Sequence, residues 1–193
     1  GSPAGGTWSG VGVSGSTFNP LLAGLGSQVI TYNFSDGTCA SSDTRTITVL
    51  DSPVVDAGLN LTTCVGDGIM NLANGTPAGG VWSGTAVTGS QFDTAIGPGL
   101  YTITYTYTDV ITSCVANDTR TITVNARPTV EAGNNLIVCI STPNFSLNGF
   151  SPGGGVWTGP GLVGPTQFSP VTAGVGLHVL TYTFTNATTG CVN

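Results

Sequence analysis

Ser2-Pro3-Ala4-Gly5-Gly6-Thr7-Trp8-Ser9-Gly10 returns as Thr76-Pro77-Ala78-Gly79-Gly80-Val81-Trp82-Ser83-Gly84, and again as Ser151-Pro152-Gly153-Gly154-Gly155-Val156-Trp157-Thr158-Gly159. The tryptophans lie 74 and 75 residues apart. Self-similarity at a fixed period marks an array of like units, each a small supersecondary assembly. After this stretch each copy goes on to a phenylalanine (Phe18, Phe92, Phe168). A strand-like core follows: Ile30-Thr31-Tyr32-Asn33-Phe34, Ile103-Thr104-Tyr105-Thr106-Tyr107 or Leu180-Thr181-Tyr182-Thr183-Phe184. Asp43-Thr44-Arg45-Thr46-Ile47-Thr48-Val49 recurs letter for letter at 118–124 and does not occur a third time.

The phase of the repeat comes from Pro53-Val54-Val55-Asp56-Ala57-Gly58 and its counterpart Pro128-Thr129-Val130-Glu131-Ala132-Gly133. Proline cannot donate to a ladder and favours strand starts and linkers, so these segments mark the hand-over between units. The expected organisation is a partial repeat over 1–52 without its opening third, a complete repeat over 53–127, and a repeat over 128–193 without its last strand. That reads as a window cut from a longer array.

Tyr101-Thr102-Ile103-Thr104-Tyr105-Thr106-Tyr107-Thr108 alternates large apolar residues with threonine, the period-two pattern of a half-buried antiparallel strand. Arg120, Ile122 and Val124 alternate with threonines in the next segment. With 30 glycines at the turns, the expected fold class is all-β, with few or no helices: a tandem array of small disulfide-bonded β-sandwich domains. Trp8, Trp82 and Trp157, placed alike in every copy beside strand signals, are expected core anchors. The competing reading makes each a sugar-stacking platform beside Gly-Gly.

Five cysteines follow the same phase. Cys64 and Cys114 are the only two in the complete unit, and Cys139 and Cys191 stand at equivalent places in the third. The expected bonds are therefore Cys64–Cys114 and Cys139–Cys191, with Cys39 left unpaired because its partner falls in the missing part of the first unit. A bridge closing a loop of about 50 residues contributes roughly 4 kcal/mol on chain-entropy grounds, which matters to a unit of this size. Such bonds persist in an oxidising compartment, so the expected location is outside the cytoplasm. Two thiols per unit, with no neighbouring His or C-x-x-C, do not make a tetrahedral metal site.

Three arginines, no lysine and nine carboxylates give a formal net charge of −6 with only 6% charged residues. No basic face exists to neutralise phosphates, so nucleic acid is not an expected partner. No apolar run approaches the ~20 residues needed to cross a bilayer. The start carries no basic segment followed by an apolar one, so an export signal is expected to have been removed or to lie upstream. Catalytic chemistry has little to draw on. His178 is the sole imidazole, expected as an exposed strand residue, and the other two copies have none. The absence of lysine rules out a P-loop. Asp51, Asp56 and Glu131 fall near unit junctions but come singly, which argues against bound calcium, and no cofactor is expected. Asn60, Asn74 and Asn144 open N-x-[ST] sequons of little information in so Thr-rich a chain.

The order Cys, Trp, Cys within a unit resembles immunoglobulin-like domains. The longer signature is P-x-V-[DE]-A-G, Cys, G-G-x-W-[ST]-G, Phe, [IL]-T-Y-[TN]-[FY], Cys and D-T-R-T-I-T-V. It resembles the tandem Ig-like or PKD-like repeats of giant Bacteroidota cell-surface proteins, especially SprB-type gliding adhesins. The resemblance implies export by the type IX secretion system, an outer-surface location, and use in adhesion and gliding motility. Asp93-Thr94-Ala95 resembles the Bacteroidota O-glycosylation signal, which would place a glycan on Thr94.

The expected function is structural: a stalk or filament segment of a long adhesin, with short linkers Asp51-Ser52-Pro53 and Asn125-Ala126-Arg127-Pro128 limiting bending. Its expected partners are further repeats of the same chain, and surface polysaccharide or outer-membrane anchoring proteins. The alternatives are an array of glycan-binding modules, or spacer domains of a secreted polysaccharide-degrading enzyme.

Overall fold

The computed structural model describes all residues from 1 to 193. The first repeat forms β1 (Thr7–Ser9), β2 (Val13–Ser14), β3 (Thr17–Phe18), a four-residue helix α1 (Pro20–Ala23), β4 (Gly26–Ser35) and β5 (Ala40–Val49). Strands β1, β4 and β5 make an antiparallel sheet in the order β1-β4-β5, with Trp8 opposite Tyr32. A small hairpin pairs β2 with β3.

The complete repeat supplies β6 (Leu61–Cys64), β7 (Ile69–Asn71), β8 (Val81–Ser83), β9 (Val87–Thr88), β10 (Gln91–Asp93), β11 (Gly99–Thr108) and β12 (Val115–Asn125). One sheet has the order β6-β12-β11-β8 and a second β7-β10-β9. Within the first, β6 runs parallel to β12, with Leu61 beside Ile122. The period-two pattern fixes which side chains turn inward. Ile103 and Tyr105 of β11 and Arg120, Ile122 and Val124 of β12 are buried, and the residues between them are more exposed. Ala57, Cys64, Leu72, Trp82, Phe92 and Thr94 are buried with them. Each large apolar side chain so placed contributes about 1.5–3 kcal/mol.

The third repeat has β13 (Phe145–Ser146), β14 (Val156–Thr158), β15 (Gln167–Phe168), a four-residue helix α2 (Pro170–Ala173) and β16 (Thr181–Thr183). Here β13 pairs with β15, and β14 with β16 so that Trp157 faces Tyr182. Its core is Leu147, Trp157, Phe168 and Tyr182, flanked by Phe150, Leu180 and Phe184. The helical turns sit at one place in the repeat. Asn19 and Ser169 cap α1 and α2 with their side chains, each ahead of a proline whose fixed φ suits the first helical position. In the middle repeat Asp93 caps a short 3₁₀ turn, Thr94–Ile96.

The chain forms two compact units whose limits do not follow the repeat boundaries. The first contains Gly1–Asp56, Gly75–Gly80 and Tyr105–Asp118, and the second Ala57–Asn74, Val81–Thr104 and Thr119–Asn193. The hairpin at the end of β11, which carries Cys114, thus groups with the first repeat. No helix is long and apolar enough to cross a membrane.

One arrangement explains why Pro-x-Gly-Gly-x-Trp and Thr-Tyr are coupled in every copy. The Tyr32, Tyr105 and Tyr182 hydroxyls donate to the carbonyls of Pro3, Pro77 and Pro152 at 2.6, 2.7 and 2.5 Å. The same oxygens accept from the amides of Gly6, Gly80 and Gly155 at 2.7–2.8 Å. Each tyrosine therefore latches the turn that delivers its tryptophan. In the first and third repeats the two rings touch, with centroids 5.0 and 5.1 Å apart. The second glycine has no alternative: a Cβ on Gly80 would lie 2.5 Å from the Tyr105 ring and 2.7 Å from the Thr106 carbonyl oxygen.

Candidate functional site

The structure pairs Cys64 with Cys191, Cα atoms 5.7 Å apart and 127 residues apart in sequence. This corrects the expected bonds Cys64–Cys114 and Cys139–Cys191: Cys114 and Cys139 are free, as is Cys39. A disulfide requires its Cα atoms within about 7 Å. The side chain that folding brings to the end of β6 is the hairpin cysteine of the next repeat, not that of its own.

The surroundings of this cystine form a clasp, all within the second compact unit. Cys64 ends β6, and the turn that follows is held by Asp67, which accepts from the Cys64 amide at 2.9 Å and the Thr63 hydroxyl at 3.0 Å. These two bonds, with a smaller share from the nearby Arg127 charge, hold the Asp67 carboxyl below the ordinary aspartate range. Arg127, from the linker between the second and third repeats, donates from Nε to the Val65 carbonyl at 2.8 Å and from Nη2 to Asp67 at 2.7 Å. Its Nη1 reaches the Val192 carbonyl at 2.5 Å, next to Cys191. Asn193 donates from Nδ2 to the Pro128 carbonyl at 2.8 Å. One planar guanidinium with several donors thus joins three backbone and side-chain oxygens from two repeats.

Cys191 is presented by the hairpin Phe184–Asn193, closed by reciprocal backbone bonds between Phe184 and Asn193. Asn186 accepts from the amides of Thr188 and Thr189, and the Cys191 amide donates to the Thr189 hydroxyl. The Cys191 side chain is fully buried and that of Cys64 nearly so. A shielded disulfide of this kind is out of reach of attacking thiolates.

The other predicted residues fall as follows. Trp82 and Trp157 are buried and Trp8 is half-buried. The Arg120 guanidinium lies 4.5 Å from the centre of the Trp82 ring, and burial lowers the pKa of Arg120. Thr94, the expected glycan acceptor, is 1% exposed. Its hydroxyl donates to the Gly68 carbonyl at 2.8 Å and accepts from the Gly68 amide at 3.0 Å. A glycan has no room there, and Asp93-Thr94-Ala95 serves as a helix cap instead, with Asp93 accepting from the Ala95 amide.

His178 precedes β16 rather than lying in a strand, and its Nε2 is 3.0 Å from the Gly174 carbonyl. Gln28 and Tyr101 make the corresponding bond four residues back, to Gly24 at 3.3 Å and Gly97 at 3.1 Å. Gln, Tyr and His can each place a donor on this turn carbonyl. Asp56 and Glu131 pair through their backbones with Thr76 and Ser151. No three His, Cys, Asp or Glu side chains gather where they could hold a metal ion.

Nothing in the sequence marks the roles of Arg127 and Asp67. Neither belongs to the quoted repeat motifs, and Ser52 occupies the place of Arg127 in the preceding linker. No protein-family model and no curated protein matches this chain.

Proposed function

We propose that this chain is a tension-carrying segment of a long extracellular array, built of small Ig-like β-sandwich repeats and belonging to a cell-surface adhesin used in attachment and gliding. It has no catalytic role and takes no cofactor, and its partners are further repeats and the surface polysaccharide or outer-membrane proteins that anchor it. The observation that carries this reading is the covalent bond from the second repeat to the third, with Arg127 beside it. A bond confined to one repeat would leave the linker Asn125-Ala126-Arg127-Pro128 to bear the whole load between them. Cys64–Cys191 spans that linker.

The burial of Trp82 and Trp157 favours this reading over a glycan-binding array, since a sugar platform needs an indole face open to solvent. Two surface depressions, around Gly12–Leu22 and between Gly5–Thr7 and Asn33–Ser42, have no indole in their walls.

Single-molecule pulling from the two termini tests the mechanical role. The cystine withholds the 127 residues between its ends, about 420–460 Å of extended chain at 3.3–3.6 Å per residue. The oxidised chain is expected to unfold to a contour length shorter by that amount than the reduced chain. Equal lengths in the two states would overturn the reading, as would a glycan that shields the tryptophans of the oxidised protein from acrylamide.

A further inference from the structure

We infer that Cys64–Cys191 is one rung of a staggered ladder, in which the strand cysteine of each repeat bonds the hairpin cysteine of the repeat that follows. Cys39, Cys114 and Cys139 are then half-rungs whose partners belong to adjoining repeats of the same kind.

The two kinds of cysteine are distinguished by their backbone settings, and the free ones match the bonded ones. The hairpin type is Cys39, Cys114 and Cys191. In each, an Asp or Asn at the start of the turn donates its amide to the cysteine carbonyl: Asp36 to Cys39 at 3.2 Å, Asp109 to Cys114 at 2.9 Å, and Asn186 to Cys191 at 2.9 Å. The same side chains accept from amides within the turn, Asp36 from Thr38 and Cys39, and Asp109 from Ile111 and Thr112. The Cys114 amide donates to the Thr112 hydroxyl as Cys191 does to Thr189. Ser113 and Gly190, the residues before the two cysteines, both take positive φ, 60° and 74°.

The strand type is Cys64, at the end of β6, and Cys139, at the equivalent place in the third repeat though outside any strand there; their carbonyls accept from the amides of Asp67 at 3.2 Å and Thr142 at 3.0 Å, each three residues on. A further observation concerns placement. The Cys114 hairpin belongs to the same compact unit as the first repeat, just as the Cys191 hairpin belongs to the unit that holds Cys64.

The stagger accounts for every free thiol. A partner for Cys114 would be the strand cysteine of the first repeat, which in the repeat frame falls before Gly1. The partner of Cys39 falls a further repeat upstream, and that of Cys139 lies in the hairpin of a repeat following Asn193. Leu136 and Ile137, at 62% and 102% exposure, leave the Cys139 segment uncovered, and the third repeat has no counterpart of β12 to pair with it.

Each rung forms by thiol–disulfide exchange with a disulfide donor such as an oxidised dithiol oxidoreductase or glutathione disulfide. One thiolate attacks the donor to give a mixed disulfide and release one donor thiol. The second thiolate then displaces the other donor sulfur. The two cysteines lose two electrons and two protons, and the donor is reduced to two thiols.

The test compares the 193-residue chain with the same chain lengthened by a second copy of residues 117–193 placed after Asn193, which completes the third repeat and adds one more; the added copy carries Ile140→Val and Val192→Ile as mass labels beside its two cysteines. Both are refolded in a glutathione redox buffer, alkylated and mapped as non-reduced peptides. The ladder expects Cys64–Cys191 in both chains, and in the longer one a new bond from Cys139 to the added copy of Cys191. Three alkylated cysteines are expected in either chain, because adding a repeat adds one rung and moves the open half-rung outward. Bonds within a repeat, Cys64–Cys114 or Cys139–Cys191, with a single thiol left over, would overturn the proposal. So would a Cys139 that stays free in the longer chain. The readout is a bond map, so it fails or succeeds independently of whether the array carries tension.

Discussion

Replacing Tyr105 with phenylalanine should expose how much the turn latch is worth, because the ring stays and only the hydroxyl goes. That oxygen donates to the Pro77 carbonyl at 2.7 Å and accepts from the Gly80 amide at 2.8 Å. Tyr101, on the same strand, makes a single hydroxyl bond, to the Gly97 carbonyl at 3.1 Å. A net protein hydrogen bond contributes about 1 kcal/mol, with more lost where a shielded partner is left unsatisfied. Tyr105→Phe is therefore expected to destabilise the protein by about 2–3 kcal/mol and Tyr101→Phe by about 1 kcal/mol. Urea unfolding followed by tryptophan fluorescence measures both. At a slope of about 2 kcal/mol/M the midpoints should fall by about 1–1.5 M and 0.5 M respectively. Hydrogen exchange at the Gly80 amide supplies the local readout and should quicken in Tyr105→Phe alone. If Tyr105→Phe costs no more than Tyr101→Phe, or leaves the Gly80 amide as protected as before, the latch is not what holds the Gly-Gly-Trp turn.

Two further outcomes follow from the same structure. Arg45 and Arg120 occupy identical heptapeptides, yet Arg45 is exposed while Arg120 is 4% exposed and stacked on Trp82. Arg120→Ala is thus expected to cost about 2–4 kcal/mol and Arg45→Ala under about 0.5 kcal/mol; equal effects in thermal unfolding would contradict the packing described. Asp67 titrates below the ordinary aspartate range in the folded chain, through the Cys64 amide first and the Thr63 hydroxyl second. A depressed folded pKa means that its stabilisation is fully present above the unfolded value, about 3.9, and is lost as pH falls through the lower folded value. A carbon-detected NMR titration should place the Asp67 midpoint below that of an unfolded peptide, and Thr63→Ala should raise it. A midpoint at or above the peptide's would refute the assignment.

Much of the fold is written in the local sequence pattern. Ile103 and Tyr105 alternate with threonine, and that alternation alone predicts a half-buried strand, because successive side chains in an extended backbone leave on opposite faces. The coupling of Gly-Gly to Trp within each copy marked the turn, although the tyrosine that ties it was visible only as an inward-facing strand residue. Asp93-Thr94-Ala95 shows the opposite case. A three-residue string fits both a glycosylation signal and a helix cap, and burial of the Thr94 hydroxyl against Gly68 decided between them.

The sequence alone carries the period, the strand pattern and the equivalence of one cysteine to another, because these depend only on neighbours along the chain. It could not determine which equivalent cysteines meet. A bond within a repeat and a bond to the next repeat satisfy the same spacing, and the choice rests on which hairpin folds back onto β6. The twin heptapeptides make the same point: Arg45 and Arg120 share their immediate neighbours in sequence, but only Arg120 has Trp82 beneath it and Gly58 alongside, where an added Cβ would lie 3.5 Å from Nη1. Burial, and with it the worth of a charge, is set by chain segments dozens of residues away, and only the tertiary structure brings those together.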